Sequence, residues 1–136
     1  MYTWKYAEPE EFSAVRDLFL SSGLGDNVAE IQRRITTPLI LKQLITFYKN
    51  GKFCGFVTFA FLNNQAAEYM PTVGIHPQAW RSGSDFWAVD YAVNKGFDGY
   101  RMLRIITKEL GVKQARYFRH KHREIREVDG TTIRRN

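Results

Sequence analysis

The spacing of apolar residues predicts helices in the first part of the chain. Pro9 suits the first turn of a helix, and the apolar residues that follow it recur at helical spacing: Phe12, Val15, Leu18 and Phe19. This pattern predicts a helix over roughly 9–21. Asn27 and Glu30 have the spacing of a capping box, and the apolar stripe behind them predicts a second helix up to Pro38.

From Leu39 the hydrophobic pattern changes to that of strands. Three strand-like segments follow one another, over 39–48, 53–62 and 66–75. Asn50 and Gly51 separate the first two, and this dipeptide predicts a tight hairpin because a type I′ turn needs positive φ at both central positions. Asn63 and Asn64 predict the second turn. We therefore expect a three-stranded antiparallel meander.

The remainder of the chain predicts two helices, a strand and a hairpin. The predicted elements are a helix beginning at Ser84 and ending at Gly96, a helix over 100–110, a strand over 115–121, and a hairpin over 123–135 that turns at Asp129-Gly130. This order predicts an α+β (or α/β) fold with a central, mostly antiparallel sheet and helices packed on both faces. It is the layout of the acetyltransferase (GNAT) superfamily. With no internal repeat and no linker, residues 1–136 are expected to form a single domain.

Composition excludes several classes of protein. The chain is 44% hydrophobic and 15% aromatic, too apolar for disorder, yet its apolar stretches are too short for a membrane span. The N-terminal residues lack the features of a secretory or transit peptide, so we expect a cytoplasmic protein. The single cysteine, Cys54, lies in a strand-like run where a buried thiol is favoured over a nucleophile. Three histidines without ligand spacing predict no metal site.

Positive charge is concentrated at the C-terminal end. Of the net charge of +6, residues 113–136 carry +5, from eight basic and three acidic side chains. We expect this basic C-terminal face to bind an acidic protein, a phosphate-bearing ligand or nucleic acid.

The segment around the second and third tryptophans carries a family resemblance. Its residues are Trp80, Ser82, Gly83, Trp87, Asp90 and Gly96. This pattern is similar to the Trp-x-Ser-Gly…Trp…Asp…Gly segment of the RTX-toxin-activating lysine acyltransferases, bacterial enzymes that move a fatty acyl chain from acyl carrier protein onto toxin lysines. The resemblance extends upstream through the Asn50-Gly51 hairpin and Pro38 to Ser21-Ser22, and downstream to Asp129-Gly130, so it covers most of the chain. It implies acyl carrier protein or acyl-CoA as donor, a protein lysine as acceptor, and no tightly bound cofactor.

Two residues that the resemblance calls for are absent. The family has a His shortly after the first helix and an Asp in the strand before the Trp motif, and counting along this sequence places them at Gly25 and near Pro71. Neither residue type is present there. The chain has therefore either moved its acid and base groups or lost the reaction.

Acyl transfer to an amine needs a base and a binding site for the donor. Glu68, on the predicted third strand, and His76, at its end, are the candidate catalytic residues; the alternatives are an exposed carboxylate and a loop histidine. The candidate donor-binding residues open the predicted helix: Trp80, Arg81, Ser82, Gly83 and Ser84. They are interpreted as a degenerate pyrophosphate loop whose single Gly favours a carrier-protein donor or no donor. We expect this loop and the strand with Glu68 to border one cleft.

Two other function classes remain open. The missing His and Asp favour a catalytically degenerate domain that serves as a structural component, for example of a phage virion, or binds other proteins. A nucleic-acid-binding module is a third interpretation, because Tyr117 and Phe118 are interleaved with basic residues at the C-terminal end. His120 and His122 lie in the same basic run, where solvated charge is favoured over a catalytic role.

Overall fold

The computed structural model describes residues 1–25, 27–112, 114–119 and 124–129. Its helices are α1 (Phe12–Ser21), α2 (Val28–Ile40), α3 (Asn64–Val73) and α4 (Gly99–Glu109), with short 3-10 turns at Pro9–Glu11 and Pro77–Ala79. Its strands are β1 (Tyr2–Tyr6), β2 (Leu44–Lys49), β3 (Lys52–Leu62), β4 (Asp85–Val93), β5 (Gln114–Arg119) and β6 (Glu124–Asp129). The strands form one sheet in chain order, from β1 to β6.

The strand directions agree with the predicted mostly antiparallel sheet. The pairs β1–β2, β2–β3 and β5–β6 are antiparallel, whereas β4 and β5 run parallel. By its contacts the chain divides into two compact units, Met1–Thr58 with Asp90–Met102, and Phe59–Val89 with Leu103–Asn136. The single domain expected from the sequence stays a prediction.

In the first unit, α1 and α2 form a hydrophobic core with strand residues. The buried members of this core are Val15, Leu18, Phe19, Ile31, Ile35, Leu44, Phe56 and Ala92. The rings of Phe19 and Phe56 are stacked with centroids 5.8 Å apart. The Asn27 side chain accepts a hydrogen bond from the Glu30 N–H (3.1 Å) and so caps α2 as predicted. Both predicted N-terminal helices are thus confirmed.

The first hairpin is also confirmed. Asn50 and Gly51 have φ values of 53° and 79°, the positive pair that a type I′ turn requires. Strand β2 begins at Leu44 instead of Leu39 because α2 continues through Pro38 to Ile40. Strand β1, which pairs with β2 from Tyr2 opposite Lys49, was not predicted. Its alternation of aromatic with polar residues was the available signal.

The predicted third strand over 66–75 is wrong, since these residues belong largely to helix α3. Asn63, interpreted as a turn residue, is the N-cap of this helix, and its Oδ1 accepts a hydrogen bond from the Ala66 N–H (2.8 Å). The following Gln-Ala-Ala-Glu run consists of good helix formers, so capping and propensity both favour a helix. Gly74, with φ of 79°, ends it.

The predicted helix from Ser84 is also wrong, because the segment forms strand β4. The run from Phe86 to Val89 is completely buried, as expected of a strand inside a sheet. A short, continuous apolar run has the same pattern in a buried helix and a buried strand, and the helical interpretation was the incorrect one. The fold class is unaffected, because the two errors compensate: α3 replaces a predicted strand and β4 replaces a predicted helix.

The second unit contains an aromatic cluster and the last strands. Phe86 stacks on Phe59 (centroids 5.3 Å apart) and lies edge-on to Phe61 (5.4 Å). The predicted helix over 100–110 and the strand from 115 are confirmed as α4 and β5. Strand β6 pairs with β5. The predicted hairpin strand over 131–135, His120 and His122 lie outside the described residues.

Candidate functional site

The Trp80–Gly83 segment is fastened to the end of strand β3. The Phe61 N–H donates to the Trp80 carbonyl oxygen, and the Gly83 N–H donates to the Phe61 carbonyl oxygen, both at 3.0 Å. The Ser82 hydroxyl accepts a hydrogen bond from the Asn63 N–H (3.0 Å), and the Trp80 side chain is buried. The motif therefore forms a clasp within the second unit.

Gly83 is required at this clasp by close packing. A Cβ added at Gly83 would lie 2.5 Å from the Asn63 nitrogen and the Leu62 carbonyl oxygen, a distance that side chains do not tolerate. These are backbone atoms of the chain that Gly83 packs against, so they cannot move aside easily.

The interpretation of residues 80–84 as a degenerate pyrophosphate loop is wrong. A pyrophosphate loop needs the unsatisfied N–H groups of a helix N-terminus, but Trp80–Ser84 leads into strand β4. In addition, the Ser82 and Gly83 N–H groups are already donated to the carbonyl oxygens of Ala79 and Phe61. Contact of Trp80, Arg81, Ser82, Gly83 or Ser84 with an acyl donor stays a prediction.

Glu68 does not lie on a strand, which corrects its predicted position. It is an exposed residue of helix α3, and its side chain makes no hydrogen bond or ion pair with the part of the chain that the structure describes. Pro71, the position at which the family Asp was expected from the resemblance, also lies on α3. The strand that was expected to carry this Asp is therefore a helix at this point.

His76 is exposed and serves as a helix cap. Its Nδ1 accepts a hydrogen bond from the Gln78 N–H (3.2 Å) at the start of the 3-10 turn Pro77–Ala79. In a neutral imidazole that accepts through Nδ1, the proton is on Nε2. Action as a base, through either ring nitrogen, would therefore require His76 to give up the cap.

A buried ion pair that the sequence prediction did not identify lies in the first unit. The Asp90 carboxylate, on β4, is 1% exposed and receives two hydrogen bonds from Arg34 of α2, from Nε (3.1 Å) and from Nη2 (2.5 Å). The Asp90 N–H donates to the Thr58 hydroxyl (3.0 Å). Bidentate pairing with Arg is the strongest geometry available to a carboxylate.

The guanidinium of Arg34 is fixed by further contacts. Its Nη1 donates to the Leu24 carbonyl oxygen (3.1 Å), and its Cζ lies 4.6 Å from the Phe19 ring centroid. Gly25, the counted position of the family His, is adjacent: a Cβ there would lie 3.4 Å from Nη1 of Arg34. Ile31 and Arg34 are the side chains nearest to the position of the absent one, and the guanidinium has only hydrogen-bond donors, so it cannot act as a base.

Three other ionisable groups in the first unit have pKa values that are shifted by their surroundings. Burial raises the pKa of the Cys54 thiol, which is 2% exposed, so the prediction that this cysteine is buried is confirmed. Burial also raises the pKa of Glu11, but hydrogen bonds from Tyr48, Glu8 and Thr46 outweigh it and hold the pKa below 4.5. Burial and the hydrogen bond to Glu11 raise the pKa of Tyr48 to about 12.

In the second unit, the parallel pairing of β4 and β5 is short. The paired residues are Trp87 with Arg116 and Ala88 with Tyr117, although both strands continue beyond them. Trp87 is 2% exposed, and its indole Nε1 has no hydrogen-bond partner in the described chain. An unpaired buried N–H costs about 1–3 kcal/mol. The parallel pairing between β4 and β5 therefore ends one residue after a buried indole donor that has no acceptor among the described residues.

Comparison with known proteins identifies the family. A sequence model of HlyC, the RTX toxin acyltransferase family, matches residues 21–131, well over half of the chain. The chain belongs to the RTX toxin acyltransferase family. The resemblance found in the sequence is thus confirmed. No functionally curated protein gives a significant match to the sequence.

Solved structures similar to this RTX toxin acyltransferase family member have GNAT-like folds. The GphF GNAT-like decarboxylase in complex with isobutyryl-CoA matches with a TM-score of 0.60 at 18% identity, covering 85% of this chain and 64% of that one. The loading GNATL domain of CurA from Lyngbya majuscula matches with a TM-score of 0.53 at 18% identity, covering 87% and 64%. A GNAT family acetyltransferase from Brucella melitensis in complex with acetyl-CoA has a TM-score of 0.53 at 10% identity, covering 88% and 76%.

These matches confirm the predicted GNAT-like fold of this family member. The chain spans slightly less than two thirds of the length of the GphF and CurA domains. In the part of the chain that the structure describes, no helix has both the length and the apolar character needed to cross a membrane. The same residues include no group of three or more His, Cys, Asp or Glu placed to hold a metal ion.

Proposed function

We propose that this protein transfers an acyl group from acyl carrier protein or acyl-CoA to a lysine amine of a protein. The observation that carries the proposal is the end of the β4–β5 ladder, considered together with the family match. Open α/β sheets bind ligands at the carboxyl ends of parallel strands, where the strands stop pairing. The family match supplies the reaction class, and three GNAT-like structures supply the fold.

The donor arm is extended and contains amide groups, so it can pair with strand backbone as an added strand does. In this proposal the arm enters beyond Ala88 and Tyr117, the last residue pair of the ladder. An oxygen of the acyl donor then accepts a hydrogen bond from the Trp87 indole N–H, which has no partner within the described chain.

The reaction needs a base and a leaving group. The lysine amine attacks the thioester carbonyl carbon, a C–N bond forms and the carbonyl electron pair moves to oxygen. Collapse of this oxyanion breaks the C–S bond, and the amine proton passes through the base to the thiolate. Glu68 is the better candidate base, because its carboxylate has no partner in the described structure whereas His76 uses Nδ1 as a cap.

Transfer of a labelled acyl group tests the proposal. The assay supplies acyl carrier protein or CoA carrying the label and a lysine-containing protein as acceptor, and follows the label on the acceptor. We expect Glu68→Gln to lower the rate by roughly 10²-fold or more with the fold intact. Glu109→Gln, an exposed Glu of α4, is the matched control and should leave the rate unchanged. An unchanged rate in Glu68→Gln contradicts its role as base.

Donor binding is tested separately with Trp87→Phe, which removes the indole N–H and keeps an aromatic ring. We expect about tenfold weaker binding of acyl-CoA, since the lost hydrogen bond is worth about 1.4 kcal/mol. Trp4→Phe is the control. Equal affinity in the wild type and in Trp87→Phe contradicts the donor position.

A catalytically degenerate domain with a structural or protein-binding role is the second candidate. Gly25 carries no side chain, and the buried carboxylate of Asp90 is neutralised by Arg34. Both observations favour lost chemistry. Absence of transfer and of donor binding by the wild type, with either donor, would support this alternative.

A further inference from the structure

A cluster of basic and aromatic side chains lies at the β2–β3 hairpin of the first unit. Lys49, the last residue of β2, has its Nζ 5.3 Å from the ring centroid of Tyr2 and 5.8 Å from that of Phe97. The Arg101 Cζ, on α4, lies 5.2 Å from the same Tyr2 ring. Lys52 is the direct cross-strand neighbour of Lys49. We call these five residues the hairpin cluster.

The hairpin cluster carries more positive than negative charge. Lys49, Lys52 and Arg101 are exposed, and none of them forms a salt bridge with a described residue. Asp98, whose Oδ1 accepts the Arg101 backbone N–H (3.2 Å) as a helix cap, adds one negative charge beside the three positive ones. Like charges directly opposite each other on a sheet are destabilising. The Lys49–Lys52 pair thus works against folding, and an anionic partner would relieve it.

The same contacts favour an acidic protein over nucleic acid as the partner. Proteins that bind single strands stack bases on open aromatic faces. Here the rings of Tyr2 and Phe97 already hold cations over them. The rings therefore position Lys49 and Arg101, and the groups left for a partner are ammonium and guanidinium donors, which suit surface carboxylates.

We propose that the hairpin cluster is the docking surface for an acidic carrier protein, which it recognises by the acidic surface of that protein and not by its prosthetic arm. This inference rests on the proposed function for the identity of the partner. The residues of the hairpin cluster are different from those of the basic C-terminal face predicted from the sequence. Electrostatic docking of this kind mainly raises the association rate and is weakened by salt.

Binding of apo-acyl carrier protein, which lacks the phosphopantetheine arm, tests the proposal. The variants are Lys49→Glu with Arg101→Glu, and Arg33→Glu as the matched control, an exposed Arg of α2 without a salt bridge to the described residues. We expect Kd for the apo-carrier to rise about tenfold or more in the double variant and to change less than about twofold in the control. Raising the salt from about 0.05 M to about 0.5 M should remove most of the difference.

Three outcomes would overturn the proposal, provided that circular dichroism shows the variants to be folded. The first is an apo-carrier affinity that the double variant does not change. The second is a loss of affinity only for the carrier protein that bears the phosphopantetheine arm, since the cluster would then recognise the phosphate of the arm. The third is tighter binding of single-stranded oligonucleotides than of the apo-carrier through the same residues. Failure of the acyl-transfer assay contradicts the proposed function alone, because apo-carrier binding is measured without catalysis.

Discussion

The Arg34–Asp90 pair leads to a prediction in which one substitution has opposite effects in two backgrounds. Asp90→Asn should destabilise the wild-type protein, because the Arg34 guanidinium loses its charged acceptor. In the Arg34→Leu background the same substitution should stabilise the protein, because it removes a buried carboxylate charge that the arginine no longer compensates. The sign reverses because Asp90 is 1% exposed and cannot reach water.

The magnitudes follow from burial and hydrogen bonding. Removing one partner of a buried ion pair costs about 3–5 kcal/mol, which we expect for Arg34→Leu. Asp90→Asn should cost about 1.5–3 kcal/mol in the wild type, the value of a hydrogen bond to a charged group. Arg34 retains 25% exposure of its side chain, so it can turn toward solvent when its partner is neutral. The arginine deletion is therefore the more harmful of the two single changes.

Urea unfolding of the four proteins of this double-mutant cycle measures the coupling between the two residues. Arg33→Leu, the neighbouring exposed arginine, is the control and should change the free energy of unfolding by less than about 0.5 kcal/mol. If Arg34→Leu is too unstable to study, Arg34→Lys keeps the charge and loses the bidentate geometry, and an intermediate loss is expected. Additive effects of Arg34→Leu and Asp90→Asn would refute the assignment of a buried ion pair.

Three further predictions concern stability. Gly83→Ala should cost about 1–3 kcal/mol, because its Cβ would lie 2.5 Å from the Asn63 nitrogen; an unchanged Tm contradicts this. Asn63→Ala should lower the free energy of unfolding by about 1 kcal/mol by removing the α3 cap, whereas Asn64→Ala should not. Folding lowers the pKa of Glu11 below 4.5, so its contribution is present above that pH and lost as the pH falls through the lowered pKa. Glu11→Gln should flatten this acid dependence in urea titrations and remove an acceptor of the Tyr48 hydroxyl; an unchanged pH profile contradicts it.

Elements with their own local signals could be predicted from the sequence. Asn27 and the Asn50-Gly51 pair act through interactions within a few residues, and both were assigned correctly. The two errors came from ambiguous signals. Asn63 is equally suited to a turn and to an N-cap, and the apolar run of β4 fits a buried helix as well as a buried strand.

The ion pair could not be predicted by spacing, because Arg34 and Asp90 are 56 residues apart. One signal was nevertheless present. Asp90 interrupts the apolar run of β4, and a carboxylate at a buried strand position requires a partner. The sequence pattern thus indicates that a partner exists, and the fold decides which residue it is.

The Trp-x-Ser-Gly motif bears differently on fold and on activity. Trp80, Ser82 and Gly83 use their carbonyl, hydroxyl and N–H groups within the clasp, so folding alone explains their presence, even in a chain without catalysis. The Trp87 indole N–H has no acceptor among the described residues, and burying an unpaired N–H makes folding less favourable by about 1–3 kcal/mol. Phe at that position would avoid this cost and preserve an aromatic core. Of the tryptophans in this segment, Trp87 is therefore the residue whose presence argues for a bound ligand, and donor binding by Trp87→Phe separates the enzyme from the degenerate domain more sharply than the motif does.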